Sequence, residues 1–382
     1  MKRKIYLGMV MAAAFGLCAC SAEEKDITGS VSIQTESGNK TNSDTGNGMK
    51  EESMEKLFGE NCIEEQIFEV ELSEYSGKVY FVPFAPSDRT QKFYMRIMQE
   101  GKVLTEIQAY VPEKLQGEAF GSLDAVSFYD VNYDGNTDIV LIETYGNTSF
   151  AAVYYGYAES KYDSAKFIPQ EILSDAISNQ VSPLSIPEIR SVLSDGKKNG
   201  SFTDYQEAYE AAARLCQLED SERIQYNLIY VDGDEVPELA AGVDGYHTSL
   251  YTYQNGTVYT LMDRWPYGAM GNAGYEYSPK KNSLRNYNSD FAGAIMYTTY
   301  MTISSRHVID TVTSIETYNF DDANRNGIPD EDEMDSLGRY SVSYIDGVEV
   351  SAKQCKSYDM GGYEYITVTM RYDELIAKLG EK

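Results

Sequence analysis

Residues 129–141 read YDVNYDGNTDIVL and set Asp130, Asn132, Asp134 and Asp138 around a glycine. Carboxylates this close repel one another unless positive charge sits among them. Alternate side chains of a tight loop can converge their oxygens on one point, and a hard cation taking six to eight oxygens suits such a set. The spacing predicts a calcium (Ca2+) loop. Asp130, Asn132, Asp134 and Asp138 would supply side-chain oxygens, Gly135 the turn, and Asn136 a backbone carbonyl. The competing reading is an acidic hairpin turn in which Asp and Asn serve only as turn formers.

Both flanks of this loop are strand-like, and Leu141 stands where an EF-hand needs its bidentate glutamate. The stretch resembles instead the D-x-N-x-D-G-x-x-D loops of FG-GAP and VCBS-type repeats, a likeness that implies a β-rich exported protein with structural calcium. A near copy follows one hundred residues on. IQYNLIYVDGDEVPELAAG (224–242) lies on DAVSFYDVNYDGNTDIVLI (124–142) without a gap, putting Asp232, Asp234 and Glu238 on Asn132, Asp134 and Asp138. The same offset matches Thr148-Ser149 to Thr248-Ser249 and Gly156 to Gly256. We read a duplicated strand–loop–hairpin unit, one in each of two related domains. In the second copy Tyr230 and Glu235 replace the first ligand and the glycine, so that loop is expected to have decayed as an ion site. Tyr226, Leu228, Asp232-Gly-Asp234, Pro237-Glu-Leu239 and Tyr251–Gly256 resemble the Y-x-L-x-D-x-D-G-D-G-x-P-E-L pattern of surface lipoproteins of low-GC Gram-positive bacteria. That resemblance implies export and fold more than activity.

A third acidic loop, Asp322-Ala-Asn324-Arg-Asn326-Gly327-Ile-Pro-Asp330-Glu-Asp-Glu333, agrees with the EF-hand at positions one, three, five, six, nine and twelve. Its context disagrees, because TVTSIETYNF before it alternates like a strand and Gly338 leaves little room for an exiting helix. A solitary calcium loop on Asp322, Asn324, Asn326, Asp330 and Glu333 is one expectation. An acidic linker between strands is the other.

Location follows from the first twenty residues. Lys2, Arg3 and Lys4 precede an apolar run from Ile5 to Leu17 that is too short to span a bilayer, as in a secretory signal. Leu17-Cys18-Ala19-Cys20 resembles a bacterial lipobox, which implies lipidation of Cys20 and an anchor on the outer side of the cell membrane. The alternative is an ordinary signal cut near Ala22. Losing the three basic residues takes the net charge from −28 to −31, which argues against nucleic acid or an anionic membrane surface as partner. Residues 20–54 are polar and aperiodic, a flexible, disordered tether. About 325 residues remain, enough for two domains, and we set their boundary so that 55–180 and 181–382 form one each. Outside the lipobox only Cys62, Cys216 and Cys355 occur, which allows one disulfide at most and no zinc site.

These loops need strands to hold them. KVYFVPFA (78–85), FYMRIM (93–98) and VLTEIQAYV (103–111) read as strands, and hairpins are expected to turn at Gly156 and at Asn255-Gly256. Ser185-Ile-Pro-Glu188 and Thr203-Asp-Tyr-Gln206 are capping boxes that start helices, the second burying Tyr205, Tyr209, Ala212 and Cys216 on one face. The fold class is α+β, mainly antiparallel β with a few helices.

Reaction chemistry is less well marked. His247 has Asp244 and Ser249 close in sequence, yet hairpin neighbours do not make a triad. No nucleophile elbow, H-E-x-x-H or phosphate loop occurs. Thirty-three tyrosines against one tryptophan offer either half-buried strand positions or exposed rows able to stack on sugars or peptides. Two expectations stand. One is a lipid-anchored, calcium-stabilised binding or adhesion module with a polysaccharide or surface-protein ligand. The other is an exported hydrolase with a carboxylate pair, recognisable by a cleft flanked by aromatics such as Trp265 and Tyr267.

Overall fold

The computed structural model describes residues 54–88, 92–157, 166–194, 202–269, 271–324, 326–331, 333 and 340–381. The signal, Cys20, nearly all of the tether and the DGKKNG stretch at 195–200 lie outside them. The described residues follow a short helix α1 (Met54–Phe58) with a first antiparallel sheet of β1 (Phe68–Glu71), β2 (Lys78–Phe84), β3 (Tyr94–Gln99) and β4 (Lys102–Gln108). A second sheet holds β5 (Phe120–Tyr129), β6 (Asp138–Tyr145), β7 (Thr148–Gly156) and β8 (Phe167–Pro169). Three helices follow: α2 (Glu171–Gln180), α3 (Ile186–Ser194) and α4 (Tyr205–Glu219). The third sheet comprises β9 (Gln225–Ile229), β10 (Glu238–Val243), β11 (His247–Gln254) and β12 (Thr257–Pro266). The fourth runs through β13 (Gly274–Ser278), β14 (Ser283–Asp290), β15 (Ile295–Ile303), β16 (Ile309–Tyr318), β17 (Val342–Ile345) and β18 (Val348–Val350). Helix α5 (Ala352–Lys356) then leads to β19 (Glu364–Tyr365), which pairs with β13, and to α6 (Tyr372–Leu379). The fold is α+β, and its sheets are antiparallel throughout.

Strand alternation sorts these elements into layers. On β6, Ile139 and Leu141 join Phe81, Met95 and Ile107 of the first sheet, while Val140 and Ile142 face the helices with Leu173 of α2 and Tyr209 of α4. Leu239 and Ala241 of β10 close that helical layer from the far side, and Ala240 packs outward with Leu284 and Met301 of the fourth sheet. The layer order is sheet, sheet, helices, sheet, sheet. Burying apolar surface on both faces of β6 and β10 contributes roughly 25 cal/mol per Å2 removed from water.

Helix α2 was not foreseen, and its composition shows why. EILSDAISNQ is poor in strong helix formers, and no side chain caps its start. Two serines do unusual work there. Ser174 Oγ accepts the Val153 N–H and Ser178 Oγ the Ala151 N–H, each at 2.9 Å, so the helix completes the open edge of β7 where β8 does not reach. Helix α3 begins just after Ser185, whose Oγ takes the Glu188 N–H at 3.4 Å, one half of the expected capping box. For α4 the cap is Asp204 rather than Thr203, because the Asp204 carboxylate takes the Glu207 N–H at 2.9 Å.

The hairpin at Asn255-Gly256 forms with both residues at positive φ, as a tight primed turn requires. Gly156 does not turn. It ends β7 paired with Phe167, and it is glycine because a Cβ there would lie 2.3 Å from the Thr137 carbonyl oxygen. The hundred-residue offset survives only in part. Tyr129 pairs with Asp138 and Ile229 with Glu238, so the loop register repeats to the residue. Across the next hairpin Leu141 pairs with Ala152, but Ala241 pairs with Ser249 and not with Thr252. The second hairpin is shorter, and the matches of Thr148-Ser149 and of Gly156 are therefore not equivalent positions.

Candidate functional site

The first loop is a ladder of backbone N–H groups donating to its own acids. Asp130 accepts from Asp134 N (3.1 Å) and Gly135 N (2.9 Å), Asn132 Oδ1 from Asp134 N (3.2 Å), and Asp134 Oδ1 from Asn136 N (2.8 Å). Asp138, fully buried, takes Val131 N on one oxygen at 2.6 Å and Gly156 N on the other at 2.8 Å. Tyr133 locks the loop in place from a left-handed conformation (φ 66°). Its hydroxyl donates to the Leu193 carbonyl at 2.8 Å, and its own carbonyl accepts Val258 N at 2.9 Å. A non-glycine residue held there costs of order 1 kcal/mol, and contacts to α3 and β12 offset it.

Electrostatics follow from burial. Desolvation first, then the neighbouring Asp134 charge, pushes the Asp130 carboxyl up to about 7. The same two causes, with Asp130 added, raise Asp138 well above the ordinary carboxylate range. Two acids that resist ionising, beside a third, form an all-oxygen set suited to a hard divalent cation. Among the described residues, however, no three His, Cys, Asp or Glu side chains already converge as a ready ligand group. Each Asp130 and Asp138 oxygen is instead engaged by N–H, leaving its second lone pair for an ion. The residues fit calcium in chemistry. Asn136 contributes its N–H to the ladder, and a carbonyl role for it is a proposal.

The sequence missed Glu74. It lies in the turn between β1 and β2, is 7% exposed, and its Oε1 accepts Thr137 N at 3.0 Å. Nothing in local spacing signals a contact across 63 residues.

The second loop repeats the frame. Val231 N donates to Glu238 Oε2 at 2.7 Å, Asp234 N to Asp232 Oδ1 at 3.1 Å, and Val236 N to Asp234 Oδ1 at 2.8 Å. Glu238 is buried and pushed up to about 8, whereas Asp234 is exposed. Tyr230 presents its ring to the Lys280 ammonium, 4.8 Å from the centroid.

The third loop closes on itself in EF-hand fashion. Glu333, 9% exposed, reaches back to Asn324 N (3.2 Å) and Asp330 N (3.5 Å), while Asp322 accepts Gly327 N at 3.2 Å. Asn324 and Asn326 donate their amides to Asp330 Oδ2 at 2.9 and 3.3 Å. Residues 334–339, where an exiting helix would begin, lie outside the described residues.

A narrow pocket lies between α4, β7 and β11–β12, lined among others by Asn132, Cys216, Glu219, His247, Asp263 and Arg264. It offers about 30 Å3, room for one or two waters and far too little for a sugar ring. Arg264, at φ 50° beside a β-bulge, donates to Glu219 at 2.6 Å. Burial and the Arg264 charge lower His247 to about 4, so it stays neutral. Ser249 lines the same pocket, but its Oγ is taken by Arg264 N at 3.0 Å, while Asp244 lies outside it and accepts the Tyr267 hydroxyl at 3.0 Å. All three cysteines outside the N-terminal segment are free, and burial pushes Cys216 up to about 12, leaving it an inert thiol.

Tyrosines instead gather on one face of the fourth sheet. Asn288, Tyr297, Glu316, Tyr344 and Glu349 are successive cross-strand partners over β14, β15, β16, β17 and β18, all at least partly exposed. Tyr318 lies on the same face, 5.3 Å from Tyr344 between ring centroids, and its hydroxyl borders Gly327 of the third loop. A scan against protein-family models matches no family, and searches of curated proteins and of solved structures find no match.

Proposed function

We propose that this chain is a lipid-anchored binding module of the cell exterior, held to the membrane through Cys20 and stabilised by calcium in the first loop. The single observation that carries binding is the row Asn288–Tyr297–Glu316–Tyr344–Glu349. It alternates aromatic rings with amide and carboxylate groups across a half-exposed sheet. Rings of this kind stack on the apolar faces of sugars while the polar groups between them take hydroxyl hydrogen bonds. A polysaccharide is therefore the ligand we favour over a protein.

The hydrolase reading finds less support. Glu219 and Asp263 do share a pocket, but Glu219 is tied to Arg264 and the space admits only water. Calcium is structural in this account, since the acids of the first loop lie on a different sheet from the tyrosine row. The repeated loop register supports an ancient duplication joining the two halves, 55–180 and 181–382, each carrying one copy of that loop frame.

Affinity electrophoresis through gels of neutral and acidic polysaccharides tests the binding reading. At least one polymer should retard the protein, and Tyr297→Ala with Tyr344→Ala should abolish that retardation without lowering the melting temperature by more than a few degrees. Equal mobility in every gel would count against it.

A further inference from the structure

A buried acid outside the loop extends its ligand set. Glu74 is 7% exposed. Its Oε1 accepts the Ser73 hydroxyl at 2.8 Å and Thr137 N at 3.0 Å, but its Oε2 is buried with no hydrogen-bond partner. Thr137 sits between Asn136 and Asp138. Gly156 joins the two acids from behind: its N–H donates to Asp138 Oδ1, and a Cβ on it would lie 2.5 Å from Glu74 Oε1. Glu74 and Asp138 thus press on the same residue, and the Asp134 charge is felt at Glu74.

An orphaned carboxylate oxygen is costly, and each instance calls for a reason, an ion among them. Glu143 shows that orphaning alone does not mean metal. Both its oxygens are buried, with the Tyr145 hydroxyl nearby but no hydrogen bond of normal geometry, and it lies between Phe150 and Leu123 on the apolar face of β6, so protonation is its way to neutrality. Glu74 differs in its company, because its Oε1 is held by Thr137 N inside the first loop and it feels the Asp134 charge.

We infer that Glu74 supplies a carboxylate oxygen to the calcium of the first loop, so that the ion fastens the β1–β2 turn of the first sheet onto the strand–loop–strand unit. This rests on the calcium reading above. It adds that the ion links two sheets and does not merely stiffen one turn.

Calorimetric titration of the full chain with calcium chloride tests it, comparing the unsubstituted protein with Glu74→Gln and Asp134→Ala. Glu74→Gln should weaken calcium by about tenfold or more, since ligand charge sets affinity in such sites. Hydrogen exchange gives a second readout. Calcium should slow exchange in residues 68–84 as well as in 130–138, and in Glu74→Gln the protection of 68–84 should vanish while that of 130–138 persists. Wild-type affinity in Glu74→Gln, or protection confined to 130–138 in the unsubstituted protein, would overturn the inference and leave the calcium reading intact. No heat of calcium binding in any protein would overturn both.

Discussion

The loops at 130–138 and 230–238 share three hydrogen bonds residue for residue, yet only one is built like an ion site. In both, the acid closing the loop takes the N–H seven residues earlier, and two Asx turns follow in step. What differs is the surroundings. The first loop is capped by the Ser73–Glu74 turn and bolted to α3 through Tyr133, so Asn132 and Asp134 are under 10% exposed. The second leaves Asp234 in water and puts a tyrosine ring, with Lys280 over it, where the first has Asp130. The frame is a backbone device that needs no ion. On the calcium reading proposed above, the demand for a cation arises where acids are added to that frame and then removed from solvent.

The largest test of the shared frame is to delete its buried acids. Asp138→Ala and Glu238→Ala should each cost about 3 kcal/mol in denaturant unfolding with chelator present, because each strands backbone N–H groups in the interior. A harmless Glu238→Ala beside a crippling Asp138→Ala would show that the two loops do not stand on one frame.

Next comes the ion. At one hundred times its dissociation constant, calcium should stabilise the protein by about 2.7 kcal/mol. Asp134→Ala should remove most of that gain and Asp234→Ala none of it, as read by thermal unfolding. Equal losses from both would mean the decayed loop still holds metal.

A third test uses pH. Burial pushes the Glu143 carboxyl from an ordinary 4.5 up to about 8. The folded chain therefore holds this proton more tightly than the unfolded chain. Its contribution to stability is full below about 4.5 and is lost as pH rises through about 8. Glu143→Gln should flatten that fall and leave the protein at pH 8 about 1–3 kcal/mol more stable than the parent. Identical pH profiles would place the titration elsewhere. The smallest effect is expected from the third loop, where Asp330→Ala should leave most of the calcium gain in place. If it removes the gain instead, the ranking of the loops is reversed.

Much of this was legible where the relevant contacts are local. Asp130, Asn132, Asp134 and Asp138 announce a tight acidic loop because their partners lie within a few residues, apart from the Asp138 contact to Gly156. The strands at 78–84 and 94–99 and the cap at Ser185 follow from alternation and short-range hydrogen bonding for the same reason. Glu74 was illegible because its significance depends on a turn folded against a loop 63 residues away. Helix α2 was illegible because its serines serve the edge of β7 rather than the helix. The offset misled beyond Glu238 because a shorter hairpin slips the pairing while similar letters persist. Equivalent strands also face unlike neighbours, Ile139 meeting the first sheet and Leu239 the helices. A repeat in sequence thus preserves a loop more faithfully than the layers around it.

The central claim is that burial turns the first loop into a calcium site. Thermal unfolding of the unsubstituted protein in millimolar calcium, millimolar magnesium and chelator addresses it directly. The account predicts a rise of several degrees in calcium alone. Coincident curves in all three would contradict it and leave Asp130–Asp138 an acidic hairpin held by its own N–H ladder.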